Sequence, residues 1–286
     1  MTVAPAARPN GGTVDLHSHS TASDGALPPA AVVRAAHAAG LAALALTDHD
    51  TIAGVAEAQA EGERLGLRVV AGAELSALDD GREIHILGLH VRPSPAFAAQ
   101  LVEFQAMRVR RSERIVAALT ALGIGVTQAQ VLALAGGGAV GRPHIARALI
   151  AAGAVRDQRE AFDRYLGLGR PAYVAKELPS PAEAFAVIHE AGGVAVFAHP
   201  GRDGTRERVE RLVQQGLDGL EVLHPSHPPE EIERYAALAA ALGLLRSGGS
   251  DWHGTTDGPR VLGAMQVPAE WLAEQDERVA ARRGAA

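Results

Sequence analysis

The sequence predicts an α/β barrel interrupted by an all-helical insertion, and three observations carry that prediction. Short apolar runs alternate with amphipathic stretches of helical period, the pattern of a parallel sheet with right-handed crossovers. Most of those runs end in, or shortly before, a His, Asp or Glu, and a barrel gathers its function at the C-terminal ends of its strands. Between about Pro93 and Lys176 the alternation stops and the chain reads as helix throughout. About seven strand–helix units without a dinucleotide-type glycine fingerprint favour closure over an open sheet.

Taken in order, residues 1–12 are rich in Ala, Pro and Gly without the apolar core of a signal peptide, and are expected to form a disordered leader. The first barrel part, 13–92, opens with a strand at 14–16. A helix at 28–39 and a strand at 44–46 follow. A second helix at 53–65, closed by Gly66 as its C-cap, leads to strands at 68–73 and 83–89. The insertion, 93–176, holds helices at 95–122, 127–135, 143–152 and 158–166. Gly123 and the run Gly136-Gly137-Gly138 are read as turns between them. The second barrel part, 177–286, resumes with strands at 194–198, 217–222 and 244–245, the last leading into a glycine-rich turn.

Composition narrows the function. A formal charge of −6 argues against a wide nucleic-acid groove held by charge alone, so long duplexes are not expected partners. With no cysteine, disulfide frameworks, thiolate zinc sites and cysteine nucleophiles are excluded. No apolar run approaches the ~20 residues that cross a bilayer, and a cytoplasmic protein with no obligate protein partner is expected. Aromatics are only 3%, which leaves the core to Ala, Leu and Val, yet there are 12 histidines. Metal ligation is the first explanation to test.

The histidines fall into motifs. In Asp15-Leu16-His17-Ser18-His19 the two imidazoles lie two residues apart and face the same way in an extended chain. Asp24-Gly25 follows, where an ordinary turn is the alternative. Asp48-His49-Asp50 ends the next strand, Glu74 and His85 belong to the following two, and His199 lies directly after an apolar run. Asp251-Trp252-His253 repeats the two-residue spacing. Nitrogen and carboxylate ligands without sulfur suit Mn²⁺, Fe²⁺ or Zn²⁺ and are poor for a dedicated Ca²⁺ or Mg²⁺ site. Nine potential ligands exceed the needs of one ion. Two or three divalent transition metal ions are expected, a device that activates water and clamps a phosphoryl oxygen.

The successive motifs D-L-H-S-H-S-T-A-S-D-G, T-D-H-D, G-A-E, H-I-L-G, A-H-P and G-S-D-W-H-G resemble those of the PHP (polymerase and histidinol phosphatase) family of metal-dependent phosphoesterases. The resemblance runs from about Asp15 to Gly254. G-R-P-H-I-A-R-A-L followed by Y-L-G-L-G-R-P-A-Y-V is similar to the branch of 3′,5′-nucleoside bisphosphate phosphatases and related 5′-to-3′ exoribonucleases. The implied fold is a distorted (β/α)₇ TIM-like barrel with the helical insertion. The resemblance places His17, His19, Glu74 and Asp251 on one ion, with Glu74 bridging to a second held also by His85 and His199. Asp24, His49 and His253 are placed on a third, and Mn²⁺ is expected first. Some members have a histidine where Asp24 stands, so that third site is the one expected to differ in affinity. Asp15 and Asp48 are expected to orient imidazoles rather than bind metal.

Other residues divide between function and structure. His224 and His227 follow a strand and are both candidate substrate contacts; His224 either touches substrate or protonates the leaving group, or else only orients a neighbour. His37, His90 and His189 match no motif and are read as ordinary residues. Arg142, at a helix start in Arg142-Pro143-His144, is expected to fork onto a phosphate with His144 in support, and Lys176 to add a second contact. Arg108, Arg110, Arg111 and Arg114 read as a solvated helix face. The expected reaction is hydrolysis of a phosphate ester by a metal-bridging hydroxide, with Glu74, Asp251 and His224 as catalytic residues. Its substrate is a small phosphorylated nucleotide, the 3′-phosphate of a 3′,5′-bisphosphonucleoside first and short 5′-phosphorylated RNA second. Histidinol phosphate hydrolysis and a non-catalytic metal-binding regulatory module are the alternatives.

Overall fold

The computed structural model describes residues 12–136, 140–256 and 258–284. The expected leader, apart from Gly12, lies outside the described residues, as do Gly137 and Gly138 of the glycine run. Eight strands are present: β1 (Thr13–Asp15), β2 (Ala43–Leu46), β3 (Arg68–Asp79), β4 (Arg82–Leu89), β5 (Val194–Phe197), β6 (Gly219–Leu223), β7 (Leu245–Gly248) and β8 (Val267–Pro268). They form one sheet in the order β7-β6-β5-β4-β3-β2-β1-β8. The sheet curls until β1 meets β7, where the Leu16 amide donates to the Gly248 carbonyl at 3.0 Å and Ser18 bridges Trp252 in parallel. The result is a barrel of seven strands with the short β8 lying antiparallel against β1.

A wholly parallel sheet is the point at which the expectation fails. β4 runs antiparallel to both β3 and β5. Asp80 (φ 49°) and Gly81 (φ 75°) connect β3 to β4 with both residues left-handed, the backbone of the two-residue hairpin turn that Asp-Gly favours. Two residues cannot carry a parallel crossover, so the neighbour must be a hairpin partner. β3 is consequently twice the expected length, since its second half extends into the hairpin.

Local sequence explains the layering. All four residues of β2 are buried; Ala43 and Ala45 face the barrel core while Leu44 and Leu46 join the apolar cluster of α1 (Pro29–Ala38) and α2 (Val55–Leu65). Small residues inside and large ones outside let a narrow barrel close. Gly66 ends α2 in the left-handed conformation with φ 68°.

The insertion consists of α3 (Pro95–Ala121), α4 (Gln128–Ala135), α5 (Arg142–Ala151) and α6 (Gln158–Ala161), the last running into a π-helical turn, Phe162–Leu166. Its apolar packing begins inside α3. Phe97, Leu101 and Phe104 belong to the barrel core, whereas Ile115, Val116 and Leu119 join Val131, Ile145, Leu149 and Leu166 in a second core. One long helix therefore serves both units. The chain then returns through α7 (Pro181–Glu190), α8 (Arg206–Gln215), α9 (Pro229–Leu242) and α10 (Ala269–Gly284), which pack outside the second half of the barrel. No described helix is long and apolar enough to cross a membrane.

Candidate metal centre

Each strand delivers its polar residues to one end of the barrel. His17 and His19 follow β1, His49 follows β2, His199 follows β5, His224 follows β6, and Asp251 and His253 follow β7. Glu74 lies within β3, beside His49 through a parallel bridge. His85 comes from near the start of β4, because that strand runs the opposite way and its first half stands at the same rim.

All nine residues expected as ligands converge. Glu74 is fully buried at the centre. Its Oε1 lies 2.8 Å from His85 Nδ1 and 3.0 Å from His199 Nε2. Its Oε2 lies 3.1 Å from His17 Nε2 and 3.3 Å from both His19 Nε2 and His49 Nδ1. Asp251 Oδ1 is 3.2 Å from His19 Nε2 and 3.5 Å from His17 Nε2. Asp24, half exposed, stands 3.3 Å from His253 Nε2 and 3.8 Å from His49 Nε2. Two groups of donors thus have the spacing of an ion site: His17, His19, Glu74 and Asp251, and His19, Asp24, His49 and His253. His49, Glu74 and His85 form another.

The fit to divalent ions rests on orphaned nitrogens. Both ring nitrogens of His19 and Nδ1 of His85 are buried without a hydrogen-bond partner, although carboxylate oxygens lie within 3.3 Å of His19 Nε2 and His85 Nδ1 and one lies 3.7 Å from His19 Nδ1. A buried imidazole nitrogen that faces carboxylate oxygens without donating to them suits a cation between the two. The electrostatics agree. Burial opposes protonation of His19 and His85, yet the Asp251 and Glu74 carboxylates push the former up to about 9 and Glu74 pushes the latter up to about 10. Burial also opposes ionisation of Glu74, but the surrounding imidazoles hold it well below the usual carboxylate range. His49 goes the other way, lowered to about 4 mainly by burial.

Neighbouring groups fix the rings. His17 shares Nδ1 with Glu221 Oε1 at 2.9 Å, so its Nε2 is left for the cluster. The other Glu221 oxygen accepts the His199 amide at 2.6 Å and holds that residue at φ 30°. Asp251 (φ 51°) is also left-handed; such conformations cost on the order of 1–3 kcal/mol and persist where packing enforces them. Asp15 and Asp48 do not orient imidazoles as expected. Asp15 accepts the amides of His17, Ser250 and Gly263, and Asp48 accepts from Ser20 and Ser23. Both shape the backbone that carries the rings. Glu221 does the orienting instead; its place near the end of β6, where other strands carry their ligand-type residues, is the signal that could have found it.

Residues 15–169 match the PHP domain. The chain belongs to the PHP domain family. It is 40% identical to a 3′,5′-nucleoside bisphosphate phosphatase of Chromobacterium violaceum, covering 87% of this chain and 90% of that one. It is also 40% identical to a 5′-3′ exoribonuclease of Haemophilus influenzae, covering 84% and 89%. A Bifidobacterium adolescentis protein assigned as a metal-dependent phosphoesterase shares the fold with a TM-score of 0.75 at 35% identity, over 93% of this chain and 96% of that one. This PHP domain protein is a metal-dependent hydrolase of phosphate esters.

Two cavities meet in the PHP domain protein at His85 and His199. One, of about 320 Å³, is lined by Glu74, Asp251, His224, Arg260 and ligand-type histidines. The other, of about 620 Å³, lies between the β3–β4 hairpin and the insertion, with Arg111, Arg142, Tyr173 and Lys176 in its wall. Arg142 donates from Nη1 to the Leu166 carbonyl at 3.1 Å and sits 5.2 Å over the Phe162 ring, so the π-helical turn aims it. Lys176 is ion-paired with Glu83. Arg111 is buried, with Nε and Nη2 on the Val174 carbonyl, and Arg108 reaches Asp50, Ser76 and Glu83. Only Arg110 and Arg114 match the solvated face expected of that cluster, each in an exposed ion pair.

Two histidines differ from their expected parts. His227 takes a bond from the Gly201 amide on Nε2 and gives one to the Val222 carbonyl from Nδ1, so neither nitrogen is free for substrate. His144 Nδ1 accepts the Gly141 amide at 3.0 Å and caps α5, and the ring lines neither cavity. His224 accepts the Ser226 amide on Nδ1 at 3.1 Å, which puts its proton on Nε2, 3.4 Å from Asp251 Oδ2. That ring lines the smaller cavity, within reach of what binds there.

Proposed function

We propose that this protein removes the 3′-phosphate from 3′,5′-bisphosphonucleosides, with short 5′-phosphorylated oligoribonucleotides as its second substrate. The observation that carries this reading is the joining of the two cavities at His85 and His199. A substrate with two separated phosphates uses both: one among the imidazoles and carboxylates, the other beside Arg142 and Lys176. The relatives named as a bisphosphate phosphatase and an exoribonuclease support the same pair of substrates.

His17, His19, Glu74 and Asp251 would hold one ion, Glu74 with His85 and His199 a second, and Asp24, His49 and His253 a third, with Mn²⁺ the first to test and Fe²⁺ or Zn²⁺ next. Bound there, such ions supply an acidified water and positive charge for the phosphoryl oxygens. The chain's own groups do the rest. Glu221 keeps the His17 tautomer, His224 offers its Nε2–H to an oxygen of the reacting phosphate, and the walls of the smaller cavity limit water around it. Arg142 holds the distant phosphate through the donors that Leu166 does not take.

The test compares kcat/KM for adenosine 3′,5′-bisphosphate, a 5′-phosphorylated trinucleotide and histidinol phosphate with Mn²⁺ present. A large preference for either nucleotide supports the reading. Preference for histidinol phosphate overturns it, and inactivity of a metal-loaded preparation towards all three points to the non-catalytic alternative.

A further inference from the structure

Among the residues that line the smaller cavity, one is permanently cationic. Arg260 comes from the loop after β7 and is neither a ligand-type residue nor part of the insertion. The loop is tied down at two points: buried Trp252 donates from Nε1 to the Thr255 carbonyl at 2.6 Å, and Thr255 Oγ1 donates to the Arg260 carbonyl at 2.8 Å. The side chain turns back onto Asp251, where Nη1 is ion-paired with Oδ2. It takes the carboxylate oxygen that His17 and His19 do not face, since those rings lie closest to Oδ1. Arg260 Nε and Nη2 have no partner among the described residues, and the side chain is 44% exposed. A guanidinium anchored by one nitrogen, with its other donors free at a cavity rim, is arranged to complete its fork on an anion.

We propose that Arg260 is a substrate contact, binding an oxygen of the phosphate at the metal centre while its Nη1 holds Asp251. This rests on the phosphoesterase reading and adds a residue to it. The charge argument is direct. The phosphate brings up to two negative charges beside Asp251, and a fixed guanidinium there adds directed donors to the charge of the metal ions and stays protonated across the working pH range. Arg142 cannot serve there, because it stands in the wall of the other cavity. Asp251 and the phosphate would share one cation, so the carboxylate stays oriented when substrate enters.

The test titrates inorganic phosphate into Mn²⁺-loaded wild type, Arg260→Ala and Arg260→Lys by calorimetry, with bound metal measured by elemental analysis on the same samples. We expect Arg260→Ala to bind phosphate about tenfold or more weakly at wild-type metal content. Arg260→Lys should recover part of the loss, because it restores charge without the fork. Equal phosphate affinity in wild type and Arg260→Ala overturns the assignment. So does a loss of bound metal that accounts for the weaker binding, which would make Arg260 a positioning residue for Asp251 alone. A metal-loaded wild type that binds no phosphate overturns the phosphoesterase reading itself, and this inference with it.

Discussion

Five imidazoles stand within 3.3 Å of the two Glu74 oxygens, those of His17, His19 and His49 around Oε2 and those of His85 and His199 around Oε1. A residue so shared cannot be neutralised without affecting more than one ion site. Glu74→Gln keeps the shape and removes the charge, and should lower activity by more than about a hundredfold. Elemental analysis should show more than one equivalent of metal lost from each chain; loss of a single equivalent would falsify the bridging assignment. The nine converging residues were legible in the sequence partly because His17 and His19, and Asp251 and His253, share a two-residue spacing, and for the rest because the successive motifs resemble those of the PHP family. Arg260 was not. It lies seven residues beyond His253 in an irregular loop, and only the folded chain brings it back to Asp251. His227 misled for the converse reason: its neighbour His224 reaches the cavity, but the Gly201 amide and the Val222 carbonyl of β6 take both of its nitrogens.

At the scale of elements, the strands were read from apolar runs and the helices from their period, and both signals are local. Direction is not. The reversal of β4 depends on the turn Asp80-Gly81, a short Asp-Gly signal that was passed over for the regular strand–helix alternation around it. The division within α3 also escaped, because one apolar stripe serves two cores. Two predictions belong here. Asp218, just ahead of β6, ties α7, α10 and β5 together through His189 at 2.8 Å, Arg282 at 2.6 Å and the Ala195 amide at 2.9 Å. Burial opposes its ionisation, but these bonds outweigh that and hold its carboxyl below the usual range. A depressed folded-state pKa stabilises above the unfolded value of about 4 and loses that contribution as pH falls through the folded value. Asp218→Ala should therefore lower stability by about 3 kcal/mol at neutral pH. In urea melts the gap from wild type should close below about pH 4; a gap independent of pH would show that lost packing, not charge, is responsible. The insertion supplies the second. Arg142→Ala should reduce kcat/KM for adenosine 3′,5′-bisphosphate roughly ten- to a hundredfold and for a small generic phosphomonoester much less. Equal losses on both would mean that the π-helical turn had been damaged instead.

The whole molecule sets the size of the substrate. It carries a formal charge of −6 and 3% aromatic residues, so it offers neither a broad cationic surface nor a series of rings on which bases could stack. Its ordered cations are largely committed to protein carboxylates and carbonyls: Arg108 to Asp50 and Glu83, Lys176 to Glu83, Arg208 and Arg211 to Asp79. The proposed nucleotide therefore has local contacts only, one phosphate at the metal centre and another beside Arg142. Recognition through so few phosphates has a signature in salt. Each neutralised phosphate of a single strand contributes a slope of about −0.7 to the dependence of log affinity on log salt. Two contacts predict a slope between about −1 and −2 for kcat/KM on a 5′-phosphorylated trinucleotide, measured between about 50 and 200 mM KCl at fixed Mn²⁺. Lengthening the oligonucleotide should leave that slope unchanged, because the proposed reading assigns contacts to those two phosphates alone. A slope that steepens with length would reveal a basic track along the insertion and make long single-stranded RNA, rather than the small bisphosphate, the substrate that the fold is shaped to hold.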